Sequence, residues 1–391
     1  MNIELLHTEV QHFIDTNLKT NLPDLVLKGS PFERVSIQEL AEQILCKSKC
    51  LNKLPTYFQT NKIYYPKTVN IEQTSSEATA QYKSTLVRGK SLIDLTGGFG
   101  VDSLFFARQL KYVTHCEIDK ELSQIVVYNL SLMGVENIRC ENEDGISFLQ
   151  KQMAQYDWIY IDPSRRDEQK TKVFKLEDCQ PDITLHLDTL LKYSNKIMIK
   201  LSPFLDIHAT ISKLKFIKEF HVVALRNEVK ELIVIIEKGF EGQCKLKTVN
   251  IKTGKLDAFE GLFPSHAKSI FSLPKTYLYE PNSAILKAGL FNEVSFQLSL
   301  NKLQKNSHLY TSDRLIEFPG RSFEIIAIHK YNRKQIKKDF SNKKANITTR
   351  NFNESVAQIR KKTGIKEGGI DYLFFTTDQE NRTIMIHCKK V

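Results

Sequence analysis

Residues 91–118, SLIDLTGGFGVDSLFFARQLKYVTHCEI, constrain this chain more than any other stretch. A short apolar run (Leu92, Ile93, Leu95) carries Asp94 and leads into Thr96-Gly97-Gly98-Phe99-Gly100. A helix-period pattern follows at Leu104, Phe105 and Ala107, and a second β-type run (Tyr112, Val113, Cys116) ends in Glu117. Strand, glycine loop, helix, strand, acid is the opening of an α/β fold with a parallel sheet. Glycines in such a loop let the backbone approach a ligand with no Cβ in the way. The acid accepts hydrogen bonds from ribose hydroxyls. The pattern predicts a nucleoside-containing ligand at Asp94, Thr96, Gly97, Gly98, Gly100 and Glu117.

The loop also discriminates between ligands. A dinucleotide site wants G-x-G-x-x-G, because its pyrophosphate sits on the helix N-terminus. Here Gly98-Phe99-Gly100-Val101-Asp102-Ser103 lacks the third glycine, and Asp102 would repel a pyrophosphate. This disfavours a nicotinamide oxidoreductase. S-adenosylmethionine (SAM) has no phosphate and carries an ammonium and a sulfonium, so Asp94 and Asp102 suit it. Glu117 follows Asp94 by 23 positions, close to the roughly 20 expected for a ribose acid. A third strand over 135–140 leads to Glu143-Asp144-Gly145, where Asp144 is placed to accept from an adenine amino group.

A fourth strand over 156–161 ends in Asp162-Pro163-Ser164-Arg165-Arg166, and a fifth over 195–199 ends in Lys200. Runs 217–225 and 232–236 are linked too briefly for a crossover helix, so that last pair is antiparallel. Ligands bind at the carboxyl ends of parallel strands. Asp162 and Lys200 lie there, and Glu231 begins the reversed strand at the same edge. Methyl transfer is an in-line displacement that needs an aligned nucleophile and the handling of one proton. Asp162 with Pro163 can hold amine N–H bonds, whereas Lys200 among acids can lower the pKa of a hydroxyl. Arg165 and Arg166 suit a phosphate clamp or base stacking. The plainer reading makes Asp-Pro a turn starter and Lys200–Glu231 an edge ion pair.

These stretches resemble class I SAM-dependent methyltransferases, in particular a bacterial group with a THUMP-like C-terminal domain. The resemblance rests on DLTGGFGVD, CEID, DPSRR, IKLSP and YLYEPNSAILKAGL, on SSEATAQYK at 75–83, and on the chain from about Asp313 onward. It implies a Rossmann-like, seven-stranded sheet with an antiparallel last strand, SAM as cofactor and an RNA-type substrate. Asp162, Lys200 and Glu231 are similar to three members of the Lys-Asp-Lys-Glu set of ribose methyltransferases. Only Lys83 or Lys90 stands upstream for the fourth.

Charge divides the chain. Residues 1–240 carry 30 Lys+Arg and 31 Asp+Glu, whereas residues 241–391 carry 26 and 14, so the whole positive excess is C-terminal. A basic module beside a neutral one suggests polyanion docking, with Lys334, Lys337 and Lys338 as candidate RNA contacts. Four regions are expected: helical 1–88, the methyltransferase core 89–240, a small α+β, ferredoxin-like region 241–317 and a basic α+β, THUMP-like region 318–391. No apolar run is long enough to span a membrane, and the start lacks signal-peptide features. The odd, scattered set of seven cysteines fits a reduced, cytoplasmic protein. Cys46-x-x-x-Cys50 lacks the third cysteine of an iron–sulfur motif, Lys53 standing in its place, so no metal is expected. The expected activity is SAM-dependent methylation of RNA, on a base amino group or a ribose 2′-hydroxyl. The rivals are a methyltransferase for a protein or small molecule, and a non-catalytic RNA-binding protein.

Overall fold

Short apolar runs bounded by turns become the strands of a parallel sheet, buried on both faces at its centre. They are β1 (Ser91–Asp94), β2 (Tyr112–Cys116), β3 (Ile138–Glu141), β4 (Trp158–Ile161) and β5 (Lys196–Leu201). Next come β6 (Ile217–Leu225) and β7 (Glu228–Glu237), joined by Arg226 and Asn227, both at positive φ. The strand order β3-β2-β1-β4-β5-β7-β6 is the expected seven-stranded arrangement. The computed structural model describes residues 1–165 and 175–391. It comprises two compact units, Met1–Lys218 with Ile233–Glu241, and Glu219–Leu232 with Gly242–Val391.

In the first unit, the N-terminal residues are helical as their periodicity requires. Helix Ile37–Lys53 starts with a capping box between Ser36 and Glu39. Its buried face (Leu40, Ile44, Cys46, Cys50) belongs to one apolar cluster with Tyr57, Phe99, Leu104, Phe105 and Val126. Tyr57 and Phe99 rings lie 4.9 Å apart. The N-terminal helices therefore brace the segment that follows β1.

In the second unit, β8 (Cys244–Lys252) and β9 (Lys255–Phe263) form a hairpin around Thr253-Gly254, with Gly254 at φ +70°. β8 pairs in parallel with β6, so the sheet runs to nine strands where the sequence pattern implies seven. A second sheet contains β10 (Tyr277–Pro281), β11 (Tyr310–Ser312), β12 (Gly320–Lys330), β13 (Lys344–Arg350), β14 (Lys366–Thr377) and β15 (Thr383–Lys390). Helices Arg333–Phe340 and Val356–Thr363 cover one face through Ile336, Phe340 and Ile359, packed with Leu373, Phe375 and Met385. Helix Val356–Thr363 ends at Gly364 in the left-handed region. Among the described residues no helix is long and apolar enough to cross a membrane.

Candidate functional site

The loop after β1 is shaped by close approach. A Cβ at Gly97 would lie 2.0 Å from the His115 ring, so only glycine fits. Gly100, at φ +77°, is the N-cap of helix Val101–Ala107. Gly98, at φ +56°, donates its N–H to Glu117 Oε2 at 2.9 Å. The other Glu117 oxygen accepts from Asp119 N at 2.8 Å. The predicted ribose acid is thus tied to the glycine loop itself. On the far side, a Cβ at Gly145 would meet Leu95 O at 2.4 Å, which draws the loop after β3 against the loop after β1. Asp144 is exposed there and caps helix Gly145–Gln152 by accepting from Ser147 N at 2.8 Å.

Beneath the loop, Asp94 is 1 % exposed. It accepts from Thr96 N at 3.1 Å and Ser103 Oγ at 2.6 Å, and Ser103 in turn meets His115 Nδ1 at 3.1 Å. Burial pushes the Asp94 carboxyl up to about 7 against those hydrogen bonds, and the negative charges of Asp102 and Asp162 add to the effect. Burial likewise lowers His115 to about 4, so the imidazole is neutral.

Asp102, anticipated as an acid near the ligand, faces a buried network. Its Oδ1 lies 3.0 Å from Lys83 Nζ, and its Oδ2 accepts from Ser75 Oγ at 2.8 Å and Tyr160 Oη at 2.7 Å. Lys83 is fully buried and also donates to Ser75 Oγ at 2.7 Å. Burial opposes ionisation of Asp102, but the Lys83 and Lys200 ammonium groups and the two hydroxyl donors outweigh it and hold the carboxyl below its ordinary range. Sequence reasoning singled out the SSEATAQYK stretch without a role for it. Its Ser75 and Lys83 anchor the helix Glu77–Leu86 to the glycine loop's own helix.

At the carboxyl edge, Asp162 donates its N–H to Thr96 Oγ1 at 2.7 Å, which couples the Asp-Pro turn to the glycine loop. Lys200 Nζ donates to Asp162 Oδ2 at 2.5 Å. The structure therefore brings together Asp162, Lys200, Thr96 and the loop glycines, and Pro163 is buried beside them. Glu231 is 2 % exposed on β7 and belongs to the second unit. Lys90 is exposed. Trp158 and Tyr160 are core residues, as their mid-strand positions implied. The Arg165 backbone pairs with Cys179, whereas its side chain and all of Arg166 lie outside the described residues. In the second unit, Lys334, Lys337 and Lys338 are exposed on helix Arg333–Phe340. Among the described residues no cluster of His, Cys, Asp and Glu has the makings of a metal site.

The residues fit SAM. The space beside Gly98 is open, with only Thr96 O within 4 Å of where a Cβ would stand, at 3.9 Å. Asp94, Asp102 and Asp162 stand close enough to feel one another, and Lys83 and Lys200 pair with the last two, so that side of the loop is balanced in charge rather than positive and does not repel a sulfonium and ammonium. Gly97–Gly100, Glu117 and Asp144 are the residues that could hold SAM, which when bound would supply an electrophilic methyl group.

Comparison with known proteins agrees. Residues 320–390 match the THUMP domain-like family and residues 277–319 a ferredoxin-like domain. A candidate methyltransferase from Porphyromonas gingivalis W83 superposes with a TM-score of 0.86 and 27% identity, covering 99% of this chain and 98% of that one. Weaker similarity extends to a SAM-dependent methyltransferase from Agrobacterium tumefaciens (18% identity, 47% of this chain and 58% of that one, TM-score 0.31). TrmK of M. capricolum, solved with S-adenosylhomocysteine, shows 12% identity over 41% of this chain and 68% of its own (TM-score 0.31). No curated protein matches. The chain has the fold of SAM-dependent methyltransferases, followed by a ferredoxin-like segment and a C-terminal THUMP-like domain.

Proposed function

We propose that this protein transfers the methyl group of SAM to RNA. The observation that carries the substrate half is charge. The THUMP-like segment 320–390 holds 16 Lys+Arg against 7 Asp+Glu. Its helix Arg333–Phe340 buries Ile336 and Phe340 and leaves Lys334, Lys337 and Lys338 in solvent. Cations held out in water bind a polyphosphate chain by releasing its counterions.

The Asp162–Lys200 pair supports the chemical half. Lys200 occupies Asp162 Oδ2 and leaves Oδ1 as the acceptor for an N–H or O–H of the nucleophile. Thr96 fixes the Asp162 backbone, so the nucleophile and the cofactor loop share one frame. Lys83, the upstream candidate for a fourth ribose-type catalytic residue, is engaged with Asp102 inside the fold, which favours an amino-group acceptor over a ribose hydroxyl. Pro163, Arg165 and Arg166 complete the proposed substrate side, and Asp94, Thr96, Gly97, Gly98, Gly100, Asp102, Glu117 and Asp144 the cofactor side. The cytoplasm, where RNA and SAM meet, is the proposed location.

The test is transfer of labelled methyl from SAM to total RNA from a strain lacking this gene, with RNA from the intact strain as control. Selective labelling of the deletion RNA establishes the activity, and digestion to nucleosides separates base from ribose. Absence of labelling in both RNAs, with SAM binding intact, would redirect the search to a protein or metabolite.

A further inference from the structure

The second unit holds another concentration of charge, set into the fold rather than on its surface. Glu280 on β10 lies opposite Arg321 on β12. The residue before that arginine must be glycine, because a Cβ at Gly320 would stand 2.1 Å from Glu280 O. Arg321 Nε donates to Glu280 Oε2 at 2.7 Å, and Arg350 Nη2 donates to Oε1 at 2.9 Å. One buried carboxylate therefore serves two guanidinium groups, and among the described residues the buried Arg350 Nε has no acceptor.

Two further basic groups stand close by. Lys302 is 3 % exposed, donates to Lys305 O at 2.8 Å, and lies 5.3 Å from the centre of the Phe291 ring. Among the described residues no carboxylate pairs with it. His308 stacks on the same ring, 3.6 Å between centroids and 17° between planes, and its buried Nδ1 has no partner among the described residues. Burial first, then the charges of Lys302 and Arg350, lowers His308 to about 4, so it is a neutral hydrogen-bonding ring. Burial brings Lys302 down to about 8, so it stays largely protonated at neutral pH.

The balance is three cations against one carboxylate, with donors left over. A triad whose purpose was only to close the fold would end at Glu280, Arg321 and Arg350. It would need neither a buried lysine nor an unpartnered imidazole beside it. Buried donors without acceptors are costly, and a ligand rich in acceptor oxygens removes that cost. A phosphate group has such oxygens, carries negative charge and matches the fork of a guanidinium. We propose that Lys302, His308, Arg321 and Arg350 form a phosphate-binding site where the ferredoxin-like segment meets the THUMP-like domain, occupied by a phosphate of the nucleic-acid substrate. The polynucleotide source of that phosphate rests on the RNA reading above, whereas the anion site itself does not.

The test uses the full-length protein and two variants, Lys302→Met and Arg350→Met. Inorganic phosphate is titrated at constant ionic strength against chloride, with melting temperature as readout. Fluorescent single-stranded RNA is titrated by anisotropy, with and without phosphate as competitor. We expect saturable stabilisation by phosphate, competition with RNA, and at least about tenfold weaker binding in each variant. Lys302→Met strands no carboxylate and so stays informative if Arg350→Met misfolds, with SAM affinity as the control for the first unit. RNA affinity that drops in the variants without any effect of free phosphate still assigns the site, to a phosphodiester. Phosphate binding without RNA binding keeps the site and removes the RNA reading. Phosphate and RNA affinities equal to wild type in Lys302→Met and in folded Arg350→Met would overturn the proposal.

Discussion

The glycine-loop region and the THUMP-like region handle charge in opposite ways. Around the loop, cations are matched to acids: fully buried Lys83 with Asp102, and Lys200 with the half-buried Asp162. On helix Arg333–Phe340 four basic side chains (Arg333, Lys334, Lys337, Lys338) stand exposed beside one half-buried acid, Asp339. Buried pairs fix geometry, because moving either partner leaves an uncompensated ion in low dielectric. Exposed like charges fix nothing locally, yet they create a field that a polyanion feels at a distance and that salt screens. The first arrangement suits chemistry and the second suits docking, so each region should fail in its own way when its charges are removed.

The sharpest separation comes from Asp162→Ala. Losing the group that holds the nucleophile and its proton should cut single-turnover methyl transfer by about 10²- to 10⁴-fold. SAM affinity, measured by calorimetry, should stay within a few fold, since the hydrogen bond between Gly98 and Glu117 is untouched. Equal loss of both would move Asp162 from the nucleophile to the cofactor.

Next in size is the buried pair. Asp102→Asn removes the carboxylate charge that faces the fully buried Lys83 ammonium at 3.0 Å. Breaking such a pair costs about 3–5 kcal/mol, readable in denaturant melts. The double variant Lys83→Met/Asp102→Leu should recover most of that loss, because matched apolar groups replace a matched ion pair. Failure of the double variant to recover stability would mean that Ser75 and Tyr160, not the charges, dominate there.

How much of this was legible in the sequence follows from range. The loop glycines form as read, and the Ser36–Glu39 capping box, the Gly364 stop and the Thr253-Gly254 turn are likewise encoded within a few residues. The reversal between β6 and β7 was legible because a short link permits only one topology. The partners of Asp102 were not, since Ser75, Lys83 and Tyr160 come from elements that meet only in the folded chain. An acid beside a glycine loop reads equally well as ligand-facing or inward-facing until its neighbours are placed. Similarly, alternation predicted strands at 245–251 and 256–259 but could not say which sheet they join. β6 offers an unpaired parallel edge, and β8 takes it.

A third prediction concerns pH. Asp94 has an ordinary value of 3.8 and rises to about 7 through burial, with Asp102 and Asp162 adding to the shift. A carboxyl raised in the folded state binds a proton that the unfolded chain has released. Its contribution is complete below the ordinary value and disappears as pH climbs toward about 7. Asp94→Asn locks in the neutral form. Relative to that variant, the ligand-free wild type should lose stability by roughly 1.4 kcal/mol per pH unit across the window. Above the window the difference should be flat. A difference that is constant through the whole range would place the Asp94 titration outside it.

The smallest effect should come from the exposed region, and it is the one that salt distinguishes. Replacing Lys334, Lys337 and Lys338 with Gln removes three solvent-facing charges and leaves the packing intact, since Ile336 and Phe340 still anchor the helix. Stability and SAM affinity should therefore hold. RNA affinity should fall, and the slope of log affinity against log salt should flatten by about 0.7 for each phosphate that is no longer neutralised on single-stranded RNA. A drop in affinity with an unchanged slope would mean that the lysines act by shape rather than by counterion release. No drop at all would move the docking surface to other basic residues of the THUMP-like segment. Either result would leave the buried pairs of the core intact as the chemical half, because nothing in their geometry depends on these three side chains.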